Sequence, residues 1–558
     1  MAPAYGPWHP GIVSPIPAPL RPLATILRPE NVFTDYGAAR ELHDLTGLPL
    51  AELITFRPER LALHELLVRV TADISVPDGP RIGDLGVNFR GIVNTILSRY
   101  VAPRSGVVND AYDAVKREIA RIVEAEVDCF SGSDALARWQ SSGAGDGARA
   151  ASYRALAKLS GALLARHGRP WGTRELLRDI AIGMACNDAG SDAIGRALEP
   201  LVAEAAEREG YRLLPPQARP VVMNTKGPSA SGKSSLRPLQ RTLAGDLGIE
   251  WREFSYVSPD IWRKQLLDYE SLGAAHKYAG SFTAEEVAIV DLKLDRYMAR
   301  KGAAGRMSHL LIDRFRFDSF APNSDEAGSN LLTRFGQIVY LFFMITPPGS
   351  LVERAWARGL EFGRYKPVDD TLAHAVEAYT GMPELFFTWV SRPDKRVHFE
   401  FLDNSVALGE RPRTVAFGWN DVLNVLDVKG MLDVERFRRV NIAAASPAEL
   451  WPRDAALGGG ENAGFLRQCI ARFKEVNFAD HASGGIYLRL ASGLPVWSDA
   501  AALAQATAHS DIRDALVAAM PGAFASGLPQ SSARLMGAER IHTLGCWGAV
   551  ASADARQR

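Results

Sequence analysis

The stretch 221-VVMNTKGPSASGKSSLRPLQ-240 constrains the fold most. It opens apolar and β-branched, passes through glycine and serine, and ends with the composition of a helix start, so it reads as strand, tight turn and helix. A buried strand that turns directly into a helix is the first half of a βαβ unit, and a parallel strand must return beside it. Short apolar runs do follow, at 254-FSYV-257, 309-HLLID-313, 338-IVYLFFMI-345 and 397-VHFEFLD-403, separated by longer helical stretches. This alternation predicts an α/β domain over residues 216–405, with a three-layer arrangement around a parallel sheet.

The flanks read differently. In residues 36–215 the pattern is mainly helical: Tyr112, Val115, Ile119, Ile122 and Val123 recur at spacings of three and four, which places them on one face of a helix. The segment 141-SSGAGDGA-148 interrupts this pattern, as a loop within one helical domain or as a boundary between two. Residues 1–35 form a proline-rich arm, with eight prolines in the first 29 positions. Beyond 405 come a strand at 414-TVAFGW-419, a break at 458-GGG-460, a helix around Phe465–Phe473 and a strand at 486-IYLRL-490. They predict a smaller C-terminal α+β region over 406–558.

Composition narrows the function classes. Lysine plus arginine (64) balance aspartate plus glutamate (64), so no global field draws the chain to nucleic acid or to an anionic membrane. The cysteines, Cys129, Cys186, Cys469 and Cys546, are widely spaced without a CxxC pair, which fits a reducing compartment. The run 338–346 is far short of the ~20 residues that span a bilayer, and the proline-rich start lacks an apolar signal core. A soluble, cytoplasmic protein is expected. Neither HExxH nor GxSxG occurs, which argues against a zinc protease or a nucleophile elbow. His276, His309, His374 and His481 read as ordinary core or surface histidines, and 386-FFTW-389 and 340-YLFF-343 as core packing.

The turn carries the chemistry. Gly227, Pro228, Ser229, Ala230, Ser231, Gly232, Lys233 and Ser234 fit G-x-x-x-x-G-K-[ST] between strand and helix, with Ser235 next. Glycines let consecutive backbone N–H groups turn toward phosphate oxygens, and the helix start adds partial positive charge. Lys233 is placed to reach β- and γ-phosphates and Ser234 to ligate Mg²⁺, so ATP and Mg²⁺ are the expected cofactors. The guanine signature N-K-x-D is absent, and the D-x-x-G at Asp325–Gly328 is a pattern common by chance. Past the second strand, Asp260 and Arg263 fall at the carboxyl edge of the sheet, where ligands of such sheets bind.

The P-D-x-x-R sequence after the second strand, behind such a loop, resembles the zeta toxin family of small-molecule kinases and its relatives such as chloramphenicol phosphotransferase. The resemblance covers residues 219–405 and implies a P-loop NTPase fold. It also implies that Asp260 contacts the acceptor hydroxyl as general base and that Arg263 helps hold the substrate. The stretch 331-LLTRFGQIVYLFFMITPPGSLVERAWARGLEFGRYKP-367 is similar to the lid region of that family. Arg354 and Arg358, one helical turn apart, and Arg364 then face the transferring phosphate, the alternative being a solvated basic face beside Glu353 and Glu361. Asp403-Asn404 resembles the D-N-S ending of the last core strand. The third strand departs from the family. It ends 310-LLIDRFRFDSF-320 where zeta toxins carry E-G-T and a substrate arginine. Asp313 would hold magnesium's water shell, Arg314 or Arg316 would replace the arginine, and the departure argues against assuming UDP-N-acetylglucosamine as acceptor.

These readings lead to an ATP-dependent kinase acting on a hydroxyl of a small molecule, for which Lys233, Asp260, Arg358 and Arg364 are the candidate catalytic residues. The alternatives are a nucleotide-dependent ATPase switch whose flanking domains bind a protein partner, and an inactive scaffold.

Overall fold

The computed structural model describes residues 5–548 apart from 82, 130–132, 315–331, 363–364, 408, 454, 523, 525–526 and 536. Contacts divide the chain into two compact units. One takes the residues up to Ser14, Pro215–Ser258 and the chain from Met298 onward; the other takes Pro15–Leu214 and Pro259–Tyr297. Among the described residues no helix is long and apolar enough to cross a membrane.

The first unit is built on one sheet. Its strands are β1 (Val221–Lys226), β2 (Phe254–Val257), β3 (His309–Asp313), β4 (Ile338–Ile345), β5 (Arg396–Asp403), β6 (Arg413–Trp419), β7 (Val422–Val425), β8 (Glu475–Ala479), β9 (Gly485–Ala491), β10 (Leu494–Ser498) and β11 (Ala533–Arg534). They lie in the order β10-β9-β8-β7-β6-β5-β4-β1-β3-β2, with β11 on β9. The half β2-β3-β1-β4-β5 is parallel throughout, and Val222 of β1 aligns with Leu310 on one side and Val339 on the other. The chain leaves β1 toward β2 and β3 on one side and only then crosses to β4 and β5. The carboxyl end of β1 is therefore a switch point, where open α/β sheets bind ligands.

Burial of both sheet faces explains the unbroken apolar run of β4. On one face Leu236 and Leu243, in and just before the helix Arg237–Asp246, pack on Val221, Met223, Leu311 and Phe342. On the other, Phe386 of the helix Val368–Val390 meets Phe343, Phe399 and Phe401 at ring separations of 5.9, 4.8 and 5.1 Å. Both aromatic runs of the sequence are thus core.

The C-terminal residues differ from the expected smaller region, because their strands continue the same sheet. β6 pairs with β5 antiparallel, and β7 pairs with β8 parallel. The buried Glu400 fixes the end of the chain to this extension: it accepts hydrogen bonds from Leu544 N (2.6 Å), Gly545 N (2.9 Å) and Thr414 Oγ1 (2.7 Å). Burial pushes its pKa up to about 7 against those donors. The proline-rich start is likewise bonded to the folded chain. Trp8 Nε1 donates to Glu353 and Ser14 Oγ to Asp370 in the sheet unit, whereas Thr25 is buried in the helical unit and donates to Phe282 O.

In the helical unit, Pro58–Asp73 is buried nearly all round and packs on Ser191–Glu209, with Ser105–Glu126 against both. Tyr112, Ile119 and Val123 are buried as the stripe predicts. The helices Ser133–Ser142 and Ala148–His167 pack together, so the break at 141–148 is a loop within one unit. A chain of polar groups crosses this interior. Arg60 Nη2 donates to Glu286 Oε2 (2.7 Å), and His64 Nε2 to Glu286 Oε1 (2.7 Å). Lys293 Nζ donates to His64 Nδ1 (3.1 Å) and Ser191 Oγ (2.7 Å), Ser191 Oγ to Glu65 Oε1 (2.5 Å), and Arg69 Nη1 to Glu65 Oε2 (2.7 Å). Every donor meets an acceptor only if His64 is neutral with its proton on Nε2. Burial and then Lys293 lower its pKa to about 4. For Glu286, burial alone would raise the pKa, but Arg60 and His64 outweigh it and hold the value to about 2.

Those contacts, with Trp262 Nε1 donating to Thr71 Oγ1 (3.1 Å) and Tyr297 OH to Asp73 Oδ2 (2.6 Å), draw Pro259–Tyr297 into the helical unit. The expected 216–405 domain is therefore interrupted, because its residues 259–297 carry the partners of the helix Pro58–Asp73.

Candidate functional site

The loop after β1 is shaped by its two glycines. Gly232 has φ +91°, and a Cβ there would lie 2.3 Å from Asn404 Nδ2. At Gly227 a Cβ would lie 2.7 Å from the Met344 Cβ of β4. Only glycine fits either position. Ala230, with φ +65°, holds a left-handed conformation that costs a non-glycine residue on the order of 1 kcal/mol. The helix does not begin directly after the loop. Lys233–Leu236 forms a 3-10 turn, and the α-helix starts at Arg237, with Pro238 in its first turn.

Side chains turn the loop's carbonyls toward the protein. Lys233 Nζ donates to Gly227 O (3.2 Å) and Pro228 O (3.0 Å). Ser231 O accepts from Asn404 Nδ2 (2.7 Å) and Thr346 Oγ1 (3.3 Å). Thr346 is held in turn by Tyr379, whose hydroxyl bonds both its N (2.7 Å) and its O (2.8 Å). The ends of β1, β4 and β5 and the helix Val368–Val390 thereby fix one loop.

Ser234 Oγ donates to Asp313 Oδ2 at 3.0 Å, which joins the residue after the loop lysine to the end of β3. A narrow crevice beneath is lined by Thr225, Lys233, Ser234, Gln240, Tyr256 and Asp313. Burial and the Asp313 carboxylate raise the Tyr256 pKa, so its hydroxyl stays protonated. A hydroxyl and a carboxylate at this separation are hard oxygen donors, the chemistry Mg²⁺ takes when it completes its shell from phosphate and water. Among the described residues no group of three or more His, Cys, Asp or Glu side chains would hold a metal ion by itself.

The other candidate residues separate into groups. Arg354 and Arg358 share the helix Pro348–Phe362. Arg358 Nη2 reaches Ser229 Oγ of the loop at 3.4 Å, whereas Arg354 Nη2 donates to Asn404 O (2.7 Å) and Val406 O (3.0 Å) and braces the turn after β5. Arg314 is buried beyond β3. Arg316 and Arg364 lie outside the described residues. Asp260 and Arg263 belong to the helical unit. There Asp260 Oδ1 accepts from Arg263 Nε at 2.8 Å, and Arg263 Nη1 donates to Gly280 O (2.7 Å) and Thr283 Oγ1 (2.9 Å). The short helix Arg263–Leu266 receives no side-chain cap bond, and Asp260 is tied to it through the ion pair with Arg263.

Sequence reasoning set His374 aside as an ordinary histidine and did not weigh Lys366. Lys366 Nζ is in hydrogen-bond contact with His374 Nδ1. Burial, then Lys366 and Lys233, lower the His374 pKa to about 3. The signal was a lysine eight residues before a histidine across a helix start, a spacing that identifies nothing without the fold. Compared with protein-family models, with curated proteins and with solved structures, the chain matches none.

Proposed function

We propose that the protein is an ATP-dependent kinase that transfers the γ-phosphoryl group to a hydroxyl of a small molecule. The observation that carries this reading is the convergence of Lys233, Ser234, Asp313 and Arg358 on one glycine-shaped loop at the switch point of a parallel sheet. Lys233 and the loop backbone would hold the phosphates, exchanging the Gly227 and Pro228 carbonyls for phosphate oxygens. Ser234 and Asp313 would hold Mg²⁺, which screens the charge of the transferring group when bound. Arg358 would meet the charge that develops on that group. The acceptor oxygen would form its bond to the γ-phosphorus as the bond to ADP breaks, and Asp260 is the candidate to take the hydroxyl proton.

A nucleotide-dependent switch is the second reading. The observation that favours it is the interleaved chain path, which passes between the two units after Ser258 and again at Tyr297, inside the helix Ala284–Ala303.

Labelled ATP turnover with and without a fractionated metabolite extract separates the two. A kinase consumes ATP only when an acceptor is present, and the label appears on a small molecule by mass spectrometry. Hydrolysis to inorganic phosphate at the same rate without extract would overturn the kinase reading and leave the switch.

A further inference from the structure

Two basic side chains of the sheet unit, Lys366 and His374, meet on elements that the phosphate-binding pattern does not include. The Tyr365 ring lies 5.7 Å from the Trp356 ring, tilted against it, and so close to Gly359 that a Cβ there would be 2.7 Å from it. The segment carrying Lys366 is thereby fixed against the helix that carries Arg358. Lys366 Nζ then contacts His374 Nδ1. His374 stands on the helix Val368–Val390, whose Tyr379 holds Thr346 against the loop. Among the charges that act on His374 are the ammonium groups of Lys366 and Lys233. On its own helix Asp370 accepts from Ser14 Oγ, Glu377 is exposed one turn further on, and Asp369 is exposed in the first turn. On the neighbouring helix Glu353 accepts from Trp8.

We propose that Lys366 and His374 complete the cation set for a nucleotide polyphosphate at this loop, and that His374 takes up one proton when the phosphates bind. The inference rests on the nucleotide reading above. In the free protein a proton on His374 would stand beside two ammonium groups, so the imidazole is neutral and accepts from Lys366. A polyphosphate drawn in by Lys233 reverses the local field. The same neighbours then surround an anion, and the protonated ring donates to a phosphate oxygen while Lys366 turns to another. The proton comes from solvent.

The test is calorimetric titration with Mg-ATP at pH 6 in two buffers of different ionisation enthalpy. Heats that differ between buffers and correspond to uptake of up to about one proton per nucleotide are expected. His374→Gln should bind with buffer-independent heat. Lys366→Met should retain binding but show less uptake, because His374 without its neighbouring ammonium is already partly protonated in the free state. Buffer-independent heat in the wild type, or uptake that persists in His374→Gln, would overturn the proposal. The two readings fail separately. Absence of Mg-ATP binding, or equal binding by Lys233→Ala, removes the nucleotide reading and this inference with it. Binding that requires Lys233 but takes up no proton removes the His374 assignment alone.

Discussion

Ser234 Oγ lies 3.0 Å from Asp313 Oδ2, so the last residue of β3 and the first residue after the loop lysine share one hydrogen bond. The pair links two strands that are neighbours in the sheet but about 80 positions apart in the chain. If it holds Mg²⁺, Asp313→Asn should keep the shape and lose the charge. The Mg²⁺ concentration needed for half-maximal turnover should rise roughly 10- to 100-fold, with thermal stability little changed. A Mg²⁺ titration of phosphoryl transfer checks this, and an unaltered requirement would free Asp313 from the metal role.

Arg354 and Arg358 are one turn apart but should fail in different ways. Arg358→Ala should lower kcat on the order of 10²-fold or more with little change in ATP affinity, because its charge is needed where negative charge develops. Arg354→Ala should instead destabilise the fold by about 1–2 kcal/mol, because it leaves Asn404 O and Val406 O without their charged donor. Urea unfolding beside steady-state kinetics distinguishes the pair. Equal kinetic effects without a stability change would contradict the division.

Asp260→Asn tests the proposed base. General-base loss costs about 10²–10⁴ in rate, while nucleotide affinity should hold. The ion pair with Arg263, exposed on its Asp260 side, predicts about 1 kcal/mol or less in stability. Wild-type transfer by a normally folded variant would favour the switch.

The helical unit should weaken in acid. Folded His64, at about 4, binds its proton more weakly than the unfolded chain, near 6.5, so unfolding takes up a proton between those values. The stability present above pH 6.5 is therefore lost as pH falls toward 4. Glu286, held to about 2 in the fold, adds a further loss from about 4.5 downward. Circular dichroism melts across pH should show the decline, and His64→Gln should flatten its upper part. A melting temperature constant from pH 6.5 to 4 would contradict the buried neutral histidine.

The β1 loop and the five parallel strands were legible because local composition and spacing determine them: 254-FSYV-257 and 309-HLLID-313 are strands residue for residue. β7, β8 and β10 were not, since Val422–Val425 and Glu475–Ala479 are short and owe their strand form to pairing with each other and with β6 and β9. The assignment of Asp260 and Arg263 to the helical unit was equally hidden. It follows from long-range contacts such as Arg60 with Glu286, which no local pattern encodes. Lys366 and His374 come together only through the fold.

The most direct test of the proposal that this loop binds phosphate is calorimetric titration of Mg-ATP into the wild type and Lys233→Ala. Lys233 donates to Gly227 O and to Pro228 O, which also accepts from Ser231 N, so the variant should still fold, at a stability cost of about 1–2 kcal/mol. Saturable binding by the wild type and its loss in the variant is the predicted result. Unchanged affinity in a normally folded Lys233→Ala would contradict the account at its centre.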